Sequence, residues 1–250
     1  MAAPEDLFKV DKDALKLSPP KAKSFHSMIA MILYVTKQAR PNTALAIAFL
    51  TTRVKEPDAD DWRKLRHLID YLKITCDLPL VLGALNTGVL HWHVDTSFAT
   101  HPNMRGHTGG VLTMGTGCPL VTLTKQKCNI GSSTICELVA VNKMIGQILW
   151  TWLFMQAQGI KVTDNILYQD NKSAILLETN GRASSSKQTK HIKIWYYYVA
   201  DRIVKGDLSV VWCPTNKMIA DFLTKPLQGK VFQQFRDVLM GAVPMWYDID

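Results

Sequence analysis

Val89-Leu90-His91-Trp92-His93-Val94-Asp95-Thr96-Ser97-Phe98 is the stretch on which the fold turns. Leu90, Trp92 and Val94 alternate with His91, His93 and Asp95, the two-residue period of a strand with one face toward a core. Segments Gly109–Gly115 and Leu120–Gln126 follow, separated by the turn Thr116-Gly117-Cys118-Pro119, and predict an antiparallel meander. A long amphipathic helix over Ser133–Met155 comes next, with Leu138, Val141, Ile145, Ile148 and Trp152 inward and Ser132 or Ser133 as N-cap. Asn165–Gln169 reads as a short buried strand that runs straight into Asp170, and residues 171–179 read as helix. After the flexible stretch Gly181–Ser186, a helix carries Ile192, Trp195, Tyr198, Val199 and Ile203 on one side. Leu208–Trp212 is a further strand and Met218–Thr224 a short helix. The order β-β-β-α-β-α-α-β-α predicts an α/β domain with a mixed five-stranded sheet and flanking helices over residues 88–225.

Upstream, the period changes. Phe25, Met28, Ile29, Ile32 and Leu33 mark a helix over 24–38 that Pro41 stops. A second helix spans Ala44–Val54. A third opens at Asp58, with Asp61 three residues on as an imperfect capping box and Trp62, Leu65, Leu68, Ile69 and Leu72 as its stripe. Residues 24–77 thus predict a small helical subdomain, residues 1–23 a flexible arm, and residues 226–250 a C-terminal tail with a helix near 230–240.

The 250 residues carry a formal charge of +8, which favours a polyanionic partner such as nucleic acid. Five cysteines, none in a C-x-x-C pair, argue against a disulfide framework or a cysteine-based zinc site and favour a reducing compartment. The apolar runs Met28–Val35 and Ile148–Met155 fall short of the roughly 20 residues that span a bilayer. No signal-peptide pattern opens the chain. The expectation is a soluble intracellular protein, cytoplasmic or nuclear, with no membrane partner.

Four acids lie in or beside the predicted elements: Asp95 in the first strand, Glu137 early in the long helix, Asp170 at the end of the fourth strand, and Asp221 in the short helix after the last strand. Drawn together, they would repel one another and rise in pKa unless cations were present. Hard divalent ions with oxygen ligands answer that repulsion, and a pair of them roughly 4 Å apart can activate water against a phosphodiester.

The wording around these acids resembles the ribonuclease H region of copia-type retrotransposon polyproteins. Val94-Asp95-Thr96-Ser97-Phe98-Ala99 is similar to the family's first-strand motif. Ser132-Ser133-Thr134-Ile135-Cys136-Glu137-Leu138 resembles S-S-T-E-A-E-[YL], and Tyr168-Gln169-Asp170-Asn171-Lys172-Ser173-Ala174-Ile175 resembles Y-x-D-N-x-S-A-I. Thr189-Lys190-His191-Ile192 is similar to T-K-H-I, and Ile219-Ala220-Asp221-Phe222-Leu223-Thr224-Lys225-Pro226-Leu227 to I-A-D-x-L-T-K-P-L. All five occur in the family's order.

The resemblance implies a ribonuclease H-like fold and hydrolysis of the RNA strand of RNA–DNA hybrids with two Mg²⁺ ions, Mn²⁺ being the alternative, and no small-molecule cofactor. It implies Asp95, Glu137, Asp170 and Asp221 as the catalytic metal ligands, with Asp95 common to both ions, Glu137 and Asp170 on one, and Asp221 on the other. Residues 24–77 resemble the segment after the reverse transcriptase palm and fingers, so the rest of a reverse transcriptase polyprotein is an implied partner. The polymerase Tyr-x-Asp-Asp motif is absent, and Asp60-Asp61 opens a helix instead. Position 135 is Ile where the family usually has Glu. An alternative reading, a catalytically inactive relic that binds nucleic acid, would rest on that departure. Another nuclease of the same fold, such as an integrase, is disfavoured by the T-K-H-I and A-D-x-L-T-K-P-L segments.

Substrate contacts are assigned to Asn171, Lys190, His191 and Arg105, with Lys125, Lys127, Lys172, Lys187 and Lys193 as further basic candidates for the phosphate backbone. A His-x-His zinc site at His91 and His93 competes with a reading of both as strand-surface histidines. His101 and His107 are expected in the connection between the first two strands, solvated. Trp195 and Tyr196-Tyr197-Tyr198 read as core and rim.

Overall fold

The computed structural model describes residues 1–97, 105–126, 132–180 and 193–245. Three helices come first: α1 (Pro19–Gln38), α2 (Ala44–Thr51) and α3 (Ala59–Ile74). α1 starts earlier than its apolar spacing indicates. Pro19 and Pro20 occupy its first turn, where the missing N–H groups would have no helical acceptor. At α3 the capping box is complete. Asp61 donates its N–H to Asp58 Oδ1 (2.9 Å), and Asp58 returns its own N–H to Asp61 Oδ2 (3.1 Å). Arg53 clamps both carboxylates, Nε to Asp61 and Nη2 to Asp58, each at 2.9 Å.

Residues 1–18 are not the loose arm that their polarity suggests. Leu7 is fully buried, Ala2 and Ala3 nearly so, and Phe8 meets Phe49 edge to face at 5.6 Å. Backbone bonds from Leu17 to Pro57 and from Ala59 to Leu15 tie the segment to the start of α3. A few apolar anchors and two backbone bonds therefore outweigh a polar average.

Five strands make one sheet: β1 (Val89–Ser97), β2 (His107–Thr113), β3 (Leu120–Lys125), β4 (Asp164–Gln169) and β5 (Ser209–Trp212). Their spatial order is β3-β2-β1-β4-β5. β1, β2 and β3 pair antiparallel, while β4 joins β1, and β5 joins β4, in parallel. The sheet is mixed and five-stranded, as the element order predicts. In register, Asp95 faces Gly109, and His93 lies between Val111 and Tyr168. β2 begins two residues before the expected start and leaves the ladder after Thr113. Gly115-Thr116 then pairs with Gly83-Ala84 in a separate two-residue ladder.

Five further helices complete the fold: α4 (Ser133–Ala157), α5 (Lys172–Asn180), α6 (Lys193–Val204), α7 (Asp221–Thr224) and α8 (Gly229–Met240). By length and composition alone α4 would cross a membrane. It lies instead along the sheet, with Ala140, Val141, Met144, Ile145 and Ile148 buried in one cluster with Leu90, Trp92 and Val94. The other side of the sheet joins the N-terminal helices. Val111, Ile219, Phe222 and Leu223 share a core with Phe25, Leu45, Phe49 and Leu68. The helical segment and the sheet are thus packed as one body through this shared core. Residues 226–245 are not a free tail either, since α8 buries Phe232, Phe235, Val238, Leu239 and Met240 in or beside that core.

Glu178, on α5, is fully buried with both carboxylate oxygens unpartnered, and burial pushes its pKa up to about 8. A buried polar group without a partner costs about 1–3 kcal/mol. At pH 8 the unfolded chain ionises Glu178 freely while the native state resists, so Glu178→Leu is expected to stabilise the protein by about that amount, and by less at pH 5. Denaturant titrations at the two pH values check this. A variant no more stable than the parent at pH 8 would refute it.

Candidate metal centre

The site forms at one end of the sheet because three element boundaries meet there. Asp95 sits near the end of β1 and is 2% exposed. Asp170 is the first residue past β4, whose pairing with β5 closes at Gln169 and Trp212. Glu137 lies in the second turn of α4. Ser132 caps that helix by accepting the Ile135 N–H on Oγ (3.2 Å), which fixes the helix start just ahead of Glu137. Asp95, Glu137 and Asp170 each offer a ligand oxygen, all within 4.8 Å of one another. Asp221, which opens α7, stands beside this group, close enough for its charge to act on Asp95.

Each carboxylate is held by a nearby side-chain donor. Thr96 donates to Glu137 Oε1 (2.8 Å), Thr215 to Asp170 Oδ2 (3.2 Å), and Thr224 Oγ1 to Asp95 Oδ2. Lys225 pairs with Asp221 Oδ2 at 2.7 Å. The three hydroxyls supply hydrogen bonds without charge and leave the repulsion standing. Burial, and then the charge of Asp221, push Asp95 up to about 8, with Asp170 adding to the shift. Burial and the charge of Asp95 hold Glu137 well above the ordinary carboxylate range. Asp221 is also raised, by burial, despite Lys225. Its Oδ1 is buried with no hydrogen-bond partner. An all-oxygen donor set, held together against its own charge and with one oxygen unused, suits a hard divalent cation.

α7 reaches Asp95 because Gly109 stands opposite it. A Cβ at Gly109 would lie 2.9 Å from Leu223 Cβ and 3.1 Å from Thr224 Cγ2. On the other face, a Cβ at neighbouring Gly110 would strike Met144 of α4 at 2.5 Å. Paired glycines thus let helices close on both sides of β2. The sequence reading did not single out Thr96, Thr215, Thr224 or Lys225 as functional. Three of them stand inside the quoted segments Val94–Ala99 and Ile219–Leu227; Thr215 had no such signal.

The predicted substrate residues divide. Asn171 uses Oδ1 to accept the N–H groups of Ser173 (3.0 Å) and Ala174 (3.1 Å), so it caps α5. Arg105 is half-buried beside Lys125, just past the ladder rung that joins Ser97, His107 and Lys125, at the same sheet end as the acids. Lys190 and His191 lie outside the described residues, as do His101, Lys127 and Lys187. Lys172 rests over the Trp212 ring (4.5 Å), whose Nε1 donates to the Asp170 carbonyl (3.3 Å).

The histidines differ from expectation. His93 is not on the surface: it is 2% exposed, stacked on Tyr168 at 4.7 Å, with burial lowering its pKa to about 3. His91 Nδ1 lies 3.1 Å from the Tyr168 hydroxyl. Neither joins a metal-ligating group among the described residues. His107 is buried at the start of β2, its ring near Phe8, rather than solvated.

A mixed β3-β2-β1-β4-β5 sheet with acids gathered at its strand ends is a ribonuclease H-like fold carrying a candidate divalent-metal centre. No family model matches the chain. Over most of its length it is similar to retrovirus-related Pol polyproteins of plant transposons. It is 25% identical over 216 residues to that of transposon TNT 1-94 from Nicotiana tabacum, and 28% identical over 218 and 222 residues to those of RE2 and RE1 from Arabidopsis thaliana. These alignments cover 86–88% of this chain but only 15–16% of the relatives. Among solved structures, LC11-RNase H1 isolated from compost shows partial likeness (14% identity, 55% of this chain and 93% of that one, TM-score 0.41). Prototype foamy virus protease–reverse transcriptase matches at 13% identity over 66% of this chain and 21% of its own, with a TM-score of 0.35.

Two outcomes are expected. Gly109→Ala should cost about 1–3 kcal/mol by overpacking against α7. It should also weaken divalent-ion binding, as read by thermal melting with and without Mn²⁺; a variant that melts and binds like the parent would show that the close approach is dispensable. The raised acids take up protons on folding between the ordinary carboxylate pKa near 4 and their folded values. The destabilisation contributed by these acids in the metal-free protein is therefore smallest at low pH and grows as pH rises toward 8. Glu178 adds the same sign, so the part that belongs to the cluster is the part that Mg²⁺ restores. Melting in chelator and in Mg²⁺ at pH 5.5 and 8 should show the larger Mg²⁺ stabilisation at pH 8; equal or reversed increments would contradict the assignment.

Proposed function

We propose that this chain is the ribonuclease H portion of a retroelement polyprotein and that it hydrolyses the RNA strand of RNA–DNA hybrids with divalent ions. The observation that carries the reading is the convergence of Asp95, Glu137 and Asp170 on one point, with Asp221 beside them. Asp95, Glu137, Asp170 and Asp221 would hold two ions, Mg²⁺ or Mn²⁺, which supply an activated water and offset charge developing on the phosphodiester. The chain's own contribution is rigidity. Thr96, Thr215 and Thr224 fix three carboxylates by hydrogen bonds, and the sheet fixes the spacing.

On the substrate side, Arg105 would meet a backbone phosphate at the acidic end of the sheet. Asn171 keeps its amide Nδ2 for a nucleotide while Oδ1 caps α5. Lys190 and His191 are assigned to the substrate through the T-K-H-I resemblance. The formal charge of +8 supports a polyanionic partner, and the polyprotein relatives support a larger reverse transcriptase around this segment. Within it, helices α1–α3 would be the end of the polymerase part.

A labelled RNA–DNA hybrid tests the reading. The wild-type chain should cut it only when Mg²⁺ or Mn²⁺ is present, and should leave a DNA duplex intact. Asp170→Asn should cut at least about a hundred-fold more slowly, since even the supporting partners of metal ligands are commonly worth ~10–100-fold. Undiminished cutting by Asp170→Asn, or no metal-dependent cutting by the wild type, would overturn the assignment.

A further inference from the structure

Of the four acids, Asp221 alone stands outside the group whose ligand oxygens lie within 4.8 Å of one another. It is also the only one of the four in an ion pair among the described residues, with Lys225 Nζ 2.7 Å from Oδ2. Its other oxygen, Oδ1, is buried and unpartnered. The two partners are unequally placed. The Asp221 side chain is 7% exposed and held at the start of α7, whereas the Lys225 side chain is 43% exposed. A lysine stem with its head near solvent can swing out and rehydrate its ammonium, but the buried aspartate has nowhere to go. The charges of Asp95 and Asp170 also act on Lys225, which places its ammonium in the field of these acids as well as that of Asp221.

We propose that Lys225 is a built-in counter-cation of the metal-free site: it holds Asp221 through Oδ2, and a second divalent ion must compete with it for that carboxylate. This rests on the nuclease reading and deepens it. Ion binding is then ordered. The first ion enters at Asp95, Glu137 and Asp170, where no lysine or arginine is paired among the described residues. The second competes with Lys225 for Asp221. Lys225 is thus a positioning residue that sets how strongly the second ion binds.

The probe is Mn²⁺, titrated calorimetrically into the full chain and counted by electron paramagnetic resonance. The wild type should show one tight step and one weak step. Lys225→Met and Lys225→Gln should leave the tight step unchanged and strengthen the weak one by about tenfold, a change of roughly 1.4 kcal/mol. Both variants should melt lower than wild type in chelator and regain the difference in Mn²⁺. A weak step that is unchanged, weaker or missing in both variants overturns the role of Lys225 while the tight step keeps the metal-centre reading intact. Loss of every step in the wild type, or a tight step indifferent to Glu137→Gln, removes the nuclease reading and this inference with it.

Discussion

Mutual repulsion among buried carboxylates is the constraint around which this end of the molecule is organised. Water would screen four acids on a surface, but here Asp95, Glu137 and Asp221 are each at most 5% exposed. The fold meets the cost with neutral donors. Three threonine hydroxyls orient three carboxylates and leave their charge uncompensated, so the raised pKa values persist. A hydroxyl fixes geometry where a guanidinium would have filled the site. An arrangement of this kind costs stability in the empty protein and becomes favourable when a cation of higher charge arrives.

Holding that arrangement requires the helices to be close to the sheet. α4 approaches on one face and α7 on the other, and β2 accommodates both through Gly109 and Gly110, where side chains would collide with Leu223 and Met144. The N-terminal helices contribute at a distance. Phe222 and Leu223 of α7 lie in the core built by α1, α2, α3 and α8, so the element that carries Asp221 and delivers Thr224 is anchored by the helical segment. This shared core gives residues 1–77 a structural part in the site.

Much of this was legible in the sequence because it depends on local periodicity. The alternation in Leu90, Trp92 and Val94 located β1, and the run into Asp170 located the end of β4. The Asp58/Asp61 pair foretold a cap that closes fully. What failed depends on tertiary placement. Leu7 and Phe8 look like isolated apolar residues in a polar arm until Phe49 is brought against them. His93 shares the outward period of Asp95 and so looks exposed, but Tyr168 on the neighbouring parallel strand covers it. Asn171 has a second role that its motif did not indicate, since its Oδ1 caps α5 by accepting the N–H groups of Ser173 and Ala174. Thr96 and Thr224 stood inside motif segments but their acceptors lie 41 and 129 residues away, and Thr215 carried no pattern at all.

The chain also contains its own control for the meaning of a buried acidic group. Asp58 and Asp61 form a second pair of nearly buried acids, 3% and 1% exposed. There, Arg53 binds both, and each returns a backbone hydrogen bond to the other. That is how this protein closes an acidic pair whose task is to start a helix: with a fixed guanidinium and saturated oxygens. At the sheet end the same chemistry was open to it, yet Asp95, Glu137 and Asp170 have no ion pair among the described residues, and Asp221 has a lysine with access to solvent. The two acid clusters therefore differ in the permanence of their counter-charge and in how fully their oxygens are partnered. That difference separates a structural pair from a candidate cation site.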